Sequence, residues 1–150
     1  MDGKNYEFIE HTADICIRVK GADLKALFIN TALAMFDIIA DKLPVKSPLD
    51  SARAEQATRP QTVKIEQEAE NLDELFVNWL NELLSLSSAQ EIILSDFKIT
   101  DITTTYLKAE AIGYSSEDYK FNKEIKAATY HELKIEKSDG GWQAEVIFDV

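Results

Sequence analysis

Basic residues, cysteine and glycine are scarce in this 150-residue sequence, and each shortage excludes a class of protein. Sixteen Lys and Arg stand against 27 Asp and Glu, which gives a net charge of −11. Non-specific binding of nucleic acid and adsorption to an anionic membrane both need a surplus of cations, so neither is expected. The single cysteine excludes an internal disulfide and favours a reducing, cytoplasmic setting. The five glycines are scattered and form no phosphate-binding loop.

Long hydrophobic segments are lacking as well. No apolar run approaches the roughly 20 residues that a membrane-spanning helix needs, and the first residues show no signal peptide. Apolar residues nevertheless make up 45% of the chain and are spread along it, which is enough for a sizeable core. We therefore expect one acidic domain over residues 1–150.

The first half of the chain alternates between strand and helix. Alternating apolar residues predict strands at Tyr6–Glu10 and Ile15–Lys20, and helical spacing predicts an amphipathic helix over Leu24–Ile39. Asp23 is a suitable N-cap for that helix. A third alternating segment predicts a strand at Thr62–Glu68.

A second amphipathic helix is predicted after Asn71, which together with Glu74 resembles a capping box, and the helix ends within Ser85–Gln90. Its first apolar residue, Leu72, lies 48 residues after Leu24 (72 − 24), and further apolar positions match at the same offset. This is the pattern of an internal strand–helix duplication, although two unrelated strand–helix units with similar loops would align equally well. Between the two units, a polar stretch at residues 41–60 holds all three prolines and predicts a long exposed loop.

The second half of the chain is predicted to be mostly β. The predicted strands are Ile92–Leu94, Phe97–Thr104, Tyr106–Gly113, Ile125–Glu136 and Trp142–Phe148, with a loop at Ser115–Lys120 and a hairpin at Gly140-Gly141. Two helices packed on mixed, antiparallel-rich sheets make a single compact α+β domain.

Two acidic positions are candidates for chemistry. Asp14 closes the segment His11-Thr12-Ala13-Asp14 between two strands, where stabilising a turn is its simplest interpretation. Asp149 follows an apolar strand, and if the chain ends at Val150, a side-chain carboxylate and an α-carboxylate stand side by side. Such hard oxygen groups suit Ca²⁺ or Mg²⁺ rather than Zn²⁺, and the alternative is a solvated tail.

Nucleophilic and zinc chemistry have little support. Cys16 lies in a predicted strand near Arg18, and without a neighbour that favours the thiolate it is interpreted as a packing residue. Together with His11 and His131 it makes a poor zinc site, because zinc takes about four ligands at recognisable spacing. His131 is expected to be a half-buried, hydrogen-bonded core residue.

Five segments together resemble the archease family. They occur in the family's order and at its spacing over nearly the whole chain: Tyr6-Glu7-Phe8-Ile9-Glu10-His11-Thr12-Ala13-Asp14, Ala32–Phe36, Asp73–Leu84, Glu124–His131 and Val146–Val150. Two departures are small. Ala128 stands where a larger apolar residue is common, and Val150 replaces a usual terminal Ile.

The resemblance implies a protein that is not itself an enzyme but activates one. Archeases act on the RtcB-type RNA ligase that joins tRNA halves. They promote guanylylation of the ligase's active-site histidine, support multiple turnover and broaden the nucleoside triphosphates that the ligase accepts. On this expectation, tRNA halves and GTP are met only through the ligase.

The resemblance also implies a divalent-metal site. Calcium is the first expectation, with Mg²⁺ and Mn²⁺ as alternatives. Carried onto this sequence, the family's ligands are Asp14, Asp149 and Val150, and the lysine important for function in the Glu-x-Lys-Ala block is Lys126.

Other interpretations of these residues stay open. On sequence alone Lys126 is a solvated strand lysine on the face opposite Ile125. His11 either orients Asp14 or simply ends a strand. For the protein as a whole, the alternatives to an activator are a metal-dependent phosphoester hydrolase and a generic adaptor or chaperone-like module.

Overall fold

The structure, a computed structural model, describes residues 6–9, 14–44 and 59–150. Within these ranges two α-helices and ten strands follow one another. In chain order they are β1 Tyr6–Ile9, β2 Ile15–Gly21, α1 Leu24–Ile39, β3 Ala40–Lys42, β4 Gln61–Glu68, α2 Leu72–Gln90, β5 Ile92–Ile102, β6 Tyr106–Ser115, β7 Tyr119–Phe121, β8 Ala127–Ala128, β9 Lys134–Ser138 and β10 Gly141–Asp149. The α+β class predicted from the sequence is confirmed.

Both helices begin where their capping residues predict. The Asp23 carboxylate accepts the N–H of Ala26 at 2.8 Å, which satisfies a donor that the first turn of α1 leaves free. The Asn71 side chain accepts the N–H of Glu74 at 2.9 Å, and the Glu74 carboxylate accepts the N–H of Glu70 at 3.2 Å. In a capping box this second bond goes to the N–H of the N-cap residue; here it goes to the N–H of Glu70, the residue before the N-cap Asn71. Neither helix in the described ranges is long and apolar enough to cross a lipid bilayer.

The strands form three sheets. The largest has the order β1-β2-β10-β8, and β9 pairs with the same edge of β10 that β8 uses. A second sheet has the order β4-β6-β5, and β3 pairs with β7 alone. All of these pairs are antiparallel.

The core lies where the two helices meet the two larger sheets. Helix α1 packs against β2 and β5, and α2 packs against β4, β5 and β8, so each helix contacts both sheets. Trp79 of α2 is fully buried, and its indole N–H donates to the carbonyl of Phe28 in α1 at 3.0 Å. The side chain of Phe148 in β10 is fully buried as well, which fixes the end of that strand against the core.

One predicted strand is wrong. The segment Ile125–Glu136 is not continuous but divides into β8 and β9. Ala128 pairs with Phe148 and Lys134 pairs with Glu145, so six steps along one strand match three along β10. The three extra residues bulge out in a turn, where the N–H of Leu133 donates to the carbonyl of Tyr130 at 3.1 Å. Glu132 takes a left-handed conformation there (φ 52°), which breaks the extended backbone.

Three other boundaries differ from the sequence expectation. The strands predicted at Ile92–Leu94 and Phe97–Thr104 form the single strand β5, which keeps its pairing with β6 through two irregularities in register. Part of the loop predicted at Ser115–Lys120 is a 3₁₀ turn, Ser116–Asp118, that leads into β7. Most of the loop predicted at residues 41–60 lies outside the described residues, and its ends belong to β3 and to an exposed lead-in to β4.

A tyrosine on the second sheet gives a test of the strand register. The Tyr106 hydroxyl donates to the Glu66 carboxylate at 2.7 Å, and this bond, with desolvation and the Glu66 charge, raises the Tyr106 pKa to about 12. A phenol with a raised folded-state pKa stabilises the fold below the unfolded pKa of about 10, and the contribution is lost as the pH rises towards 12. We expect Tyr106 to ionise late in an ultraviolet titration of the phenolates. Glu66→Gln lowers its midpoint, whereas Glu70→Gln does not; equal midpoints in all three proteins contradict the assigned contact.

Candidate functional site

Antiparallel pairing of β2 with β10 places the two candidate aspartates at the same end of the sheet. The register pairs Ile15 with Phe148. Asp14 directly precedes Ile15 and Asp149 directly follows Phe148, so in an antiparallel pair both lie beyond the same end of the register. Directly opposed residues of an antiparallel pair have Cα atoms about 4.5–5.5 Å apart, so this register sets both aspartates at one end of the sheet. Asp14 is half-buried at a bend, and Asp149 is exposed.

The candidate lysine is tied to the same end of the sheet. The N–H of Lys126 donates to the carbonyl of Asp149 at 2.8 Å, and Ala127 pairs with Asp149. The Lys126 side chain is exposed, whereas Ile125 before it is buried, as the opposite-face prediction requires. Val150 is half-buried and packs against the core. We call Asp14, Lys126, Asp149 and Val150 the acidic edge.

A side chain of α2 holds the segment that carries Lys126. The Asn81 amide oxygen accepts the N–H of Ala128 at 2.8 Å, and its amide nitrogen donates to the carbonyl of Ala128 at 3.2 Å. Sequence reasoning missed Asn81. The signal was a polar amide on the flank of an apolar helix stripe, which by itself does not say which backbone it bonds.

A groove of about 920 Å³ opens beside Lys126, between the end of α2 and residues 121–127. Apolar side chains form much of its wall, and Phe121 is 57% exposed. Its lining also includes two lysines and four serines. The residues that line it are Ile39, Asn81, Leu84, Ser85, Ser87, Ser88, Glu91, Ile92, Ser116, Phe121, Asn122, Lys123, Glu124, Ile125, Lys126 and Ala127.

The two histidines have different outcomes. His11 lies outside the described residues, so its predicted role stays a prediction. His131 is exposed in the turn that interrupts the predicted strand, and the expectation of a half-buried core residue is wrong. The physical reason is the extra three residues of that turn, which carry His131 away from the sheet.

Cys16 is a buried thiol whose surroundings disfavour the thiolate. Burial raises the pKa of the Cys16 thiol, and the charges of Glu145 and Glu132 raise it further. Arg18 opposes the effect but is itself paired with Glu145 at 3.0 Å and with Glu7 at 2.8 Å. A raised pKa keeps the thiol protonated near neutral pH, as expected of a packing residue.

The donor set of the acidic edge fits a hard cation. It offers two carboxylates and the main-chain carbonyl of Val150, which are ligand types that Ca²⁺, Mg²⁺ and Mn²⁺ accept and that zinc sites rarely rely on alone. Ca²⁺ takes six to eight oxygens, so main-chain carbonyls and water would complete the shell. Among the described residues no group of three or more His, Cys, Asp or Glu side chains gathers to hold a metal.

Known proteins that are similar to this chain match it over nearly its whole length. Residues 6–150 match the model of the archease protein family. A protein archease from Methanosarcina acetivorans is 40% identical over 154 residues, which cover 99% of this chain and 97% of the relative. The solution structure of a Methanobacterium thermoautotrophicum protein is 30% identical, with a TM-score of 0.69 and coverage of 98% and 99% of the two chains. The crystal structure of a Thermotoga maritima archease, described as a possible chaperone, is 21% identical with a TM-score of 0.62 over 95% and 94%, and supports the fold alone.

Proposed function

This chain belongs to the archease family, and on that premise we propose that it activates an RtcB-type RNA ligase and is not itself an enzyme. The activation consists of faster guanylylation of the ligase's active-site histidine, sustained turnover and use of a broader set of nucleoside triphosphates. We place the activity in the cytoplasm, which the single cysteine favours.

The observation that carries the proposal is the assembly of the acidic edge. Lys126 and Asp149 are joined by a main-chain hydrogen bond of 2.8 Å, and the β2–β10 register brings Asp14 to the same end. These residues are far apart in sequence, and three separate elements of the fold supply them. Lys126 and Asp149 are exposed and Asp14 is half-buried, and charges gathered in this way from separate elements support a contact surface rather than a role in folding.

Charge complementarity supports docking at the ligase's nucleotide site. A ligase that binds RNA and GTP presents cations, and a protein of net charge −11 is attracted to such a surface. The exposed Lys126 ammonium is then available to donate to a phosphate oxygen of GTP or to a carboxylate of the ligase. Holding the nucleotide in line with the attacking histidine and stabilising its charge is most of what nucleotidyl transfer needs.

A divalent cation is part of the proposal. Asp14, Asp149 and a main-chain oxygen of Val150 would hold it, with calcium first and Mg²⁺ or Mn²⁺ as alternatives. When bound, it would neutralise the two neighbouring carboxylates and supply a positive centre for phosphate oxygens.

Single-turnover labelling of the cognate ligase tests the function. The ligase is mixed with radiolabelled GTP and a divalent cation, with and without this protein, and the covalent guanylate on the ligase is followed in time. We expect the protein to raise the labelling rate by at least about 100-fold, the size that a positioned charge or general catalyst typically contributes. The matched control is a ligase whose active-site histidine is replaced, which must stay unlabelled.

The same assay separates the alternatives. Equal labelling rates with and without the protein, in every divalent cation tried with a competent ligase, would contradict the activator function. Release of phosphate from GTP by the protein alone would favour the hydrolase. The chaperone-like alternative, which the description of the Thermotoga relative raises, requires that the protein reduce aggregation of unrelated proteins without the ligase.

A further inference from the structure

The strand next to the acidic edge has an unusual partner. β8 is only two residues long and is the last strand on its side of the sheet. Ala128 of β8 directs neither its N–H nor its C=O to another strand: both bond to the side chain of Asn81 in α2, at 2.8 and 3.2 Å. One amide side chain thus supplies the acceptor and the donor that a neighbouring strand would supply.

The Ala128 anchor lies between two bonds to β10. On one side, the N–H of Lys126 donates to the carbonyl of Asp149 at 2.8 Å. On the other side, the N–H and the hydroxyl of Thr129 both donate to the carbonyl of Ile147, at 3.1 and 2.9 Å. The chain at residues 122–126 and 129–133 has no regular secondary structure. The N–H groups of Asn122 and Lys123 donate to the carbonyl of Ile39, so the bonds at residues 126–129 hold the part of the chain that carries Lys126.

We propose that Asn81 is a positioning residue for the acidic edge: by clamping Ala128, it fixes the placement of Lys126 relative to Asp149. The inference rests on the proposed function, since it assigns Asn81 a part in activation of the ligase. Asn81 touches neither the ligase nor a nucleotide in this role and acts through the backbone of residues 126–128.

The burial pattern separates this role from a contribution to folding alone. Leu80 and Leu83 on either side of Asn81 are fully buried and hold α2 on the core. Asn81 itself is half-buried on the flank of the helix, where it also lines the groove beside Lys126. A change at Asn81 therefore leaves the apolar packing of α2 in place and alters the attachment of β8.

Two substitutions at Asn81 and one matched control test the proposal. Asn81→Asp keeps the size of the side chain and the acceptor for the N–H of Ala128, but replaces the donor to its carbonyl with a repelling oxygen. Asn81→Ala removes both bonds. Asn30→Ala is the control, because Asn30 likewise bonds a helix to backbone, donating to the carbonyl of Lys20 at 2.8 Å, at the opposite end of β2.

The first readout is amide hydrogen exchange of Lys126, measured by NMR on the full chain without the ligase. The bond of this amide goes to Asp149 and not to Asn81, so its exchange reports the coupling itself. We expect exchange at Lys126 to accelerate at least about tenfold in both Asn81 variants, relative to amides of β6 in the same sample, and to stay unchanged in Asn30→Ala.

The second readout is the maximal rate of ligase guanylylation, with the melting temperature of every variant measured alongside. Displacing a positioned group by a fraction of an ångström to one ångström costs up to about 100-fold in rate, so we expect a loss of at least about tenfold in Asn81→Asp. We expect Asn30→Ala to keep the wild-type rate even if its melting temperature falls as far as that of the Asn81 variants.

Each outcome decides the matter. Unchanged exchange at Lys126 in both Asn81 variants overturns the proposal, and so does a rate loss no larger than that of Asn30→Ala. If the wild-type protein does not activate the ligase at all, the proposed function fails. The exchange of Lys126 then still shows whether Asn81 positions the edge.

Discussion

Replacing Asp149 with alanine is expected to abolish activation of the ligase while leaving the protein folded. The side chain of Asp149 is exposed, whereas Phe148 before it is fully buried on the other face of β10. The hydrogen bond from Lys126 and the pairing with Ala127 use the main chain of residue 149, so both survive the substitution. An exposed substitution of this kind changes the free energy of unfolding by no more than about 0.5 kcal/mol.

The expected loss of function is large because Asp149 is one of only two side-chain carboxylates of the acidic edge. Its removal leaves the Asp14 carboxylate and a main-chain oxygen of Val150, too few hard ligands to hold a divalent cation firmly. We expect the stimulation of guanylylation to fall by at least about 100-fold, the loss seen when a preorganised charge is removed from a reacting site.

Glu136→Ala is the matched control for Asp149→Ala. It removes one negative charge from an exposed position of β9 in the same sheet, opposite Gln143 and remote from the acidic edge in register. We expect it to activate the ligase as the wild-type protein does. Loss of activation in both variants would mean that net charge matters rather than the edge, and full activation by Asp149→Ala would rule out the edge as the working surface.

Replacing Trp79 with alanine is expected to have the largest effect on stability. Trp79 is fully buried. The centroid of its ring lies 6.0 Å from the ring centroid of Phe97 and 6.4 Å from that of Phe28. Truncation of a buried tryptophan costs about 3–5 kcal/mol in lost transfer free energy and cavity formation. Since domains of this size are stable by about 5–15 kcal/mol, we expect the substitution to remove a large share of the free energy of unfolding.

Trp79→Phe separates packing from hydrogen bonding. It keeps an aromatic ring in the core but removes the N–H that donates to the carbonyl of Phe28 at 3.0 Å. We expect this variant to lose about 1–2 kcal/mol, a hydrogen bond plus a small change in volume. Urea unfolding followed by far-ultraviolet circular dichroism measures both. An unfolding midpoint for Trp79→Ala equal to that of Trp79→Phe would contradict the packing described for this site.

The local features of this protein could be predicted from the sequence. The bounds of α1 follow from the Asp23 cap and an apolar stripe, and both agree with the structure. The start of α2 follows from Asn71, and the hairpin between β9 and β10 follows from Gly140, whose φ of 75° needs a glycine. Each of these signals is contained in a few consecutive residues, so no knowledge of distant parts of the chain is required.

The acidic edge was named from a family resemblance, and its assembly was decided by tertiary structure. Asp14 and Asp149 are 135 residues apart (149 − 14), and only the antiparallel register of β2 with β10 brings them to one end of a sheet. Register is a property of two strands together, so neither strand's own pattern specifies it.

The segment that carries Lys126 shows the limit most clearly. Its sequence favours one long strand. Alternating apolar residues do not reveal whether a partner strand pairs with every residue of the segment. Between the pairs Ala128–Phe148 and Lys134–Glu145, β10 has three fewer residues than the segment opposite it. The chain between Ala128 and Lys134 therefore turns outward. The side chain of Asn81, 47 residues before Ala128, hydrogen-bonds the N–H and C=O of Ala128. The sequence specifies the residues of the acidic edge and their charges. Their arrangement depends on the pairing of distant strands with β10 and on Asn81 of α2, which only the folded chain brings into contact with Ala128.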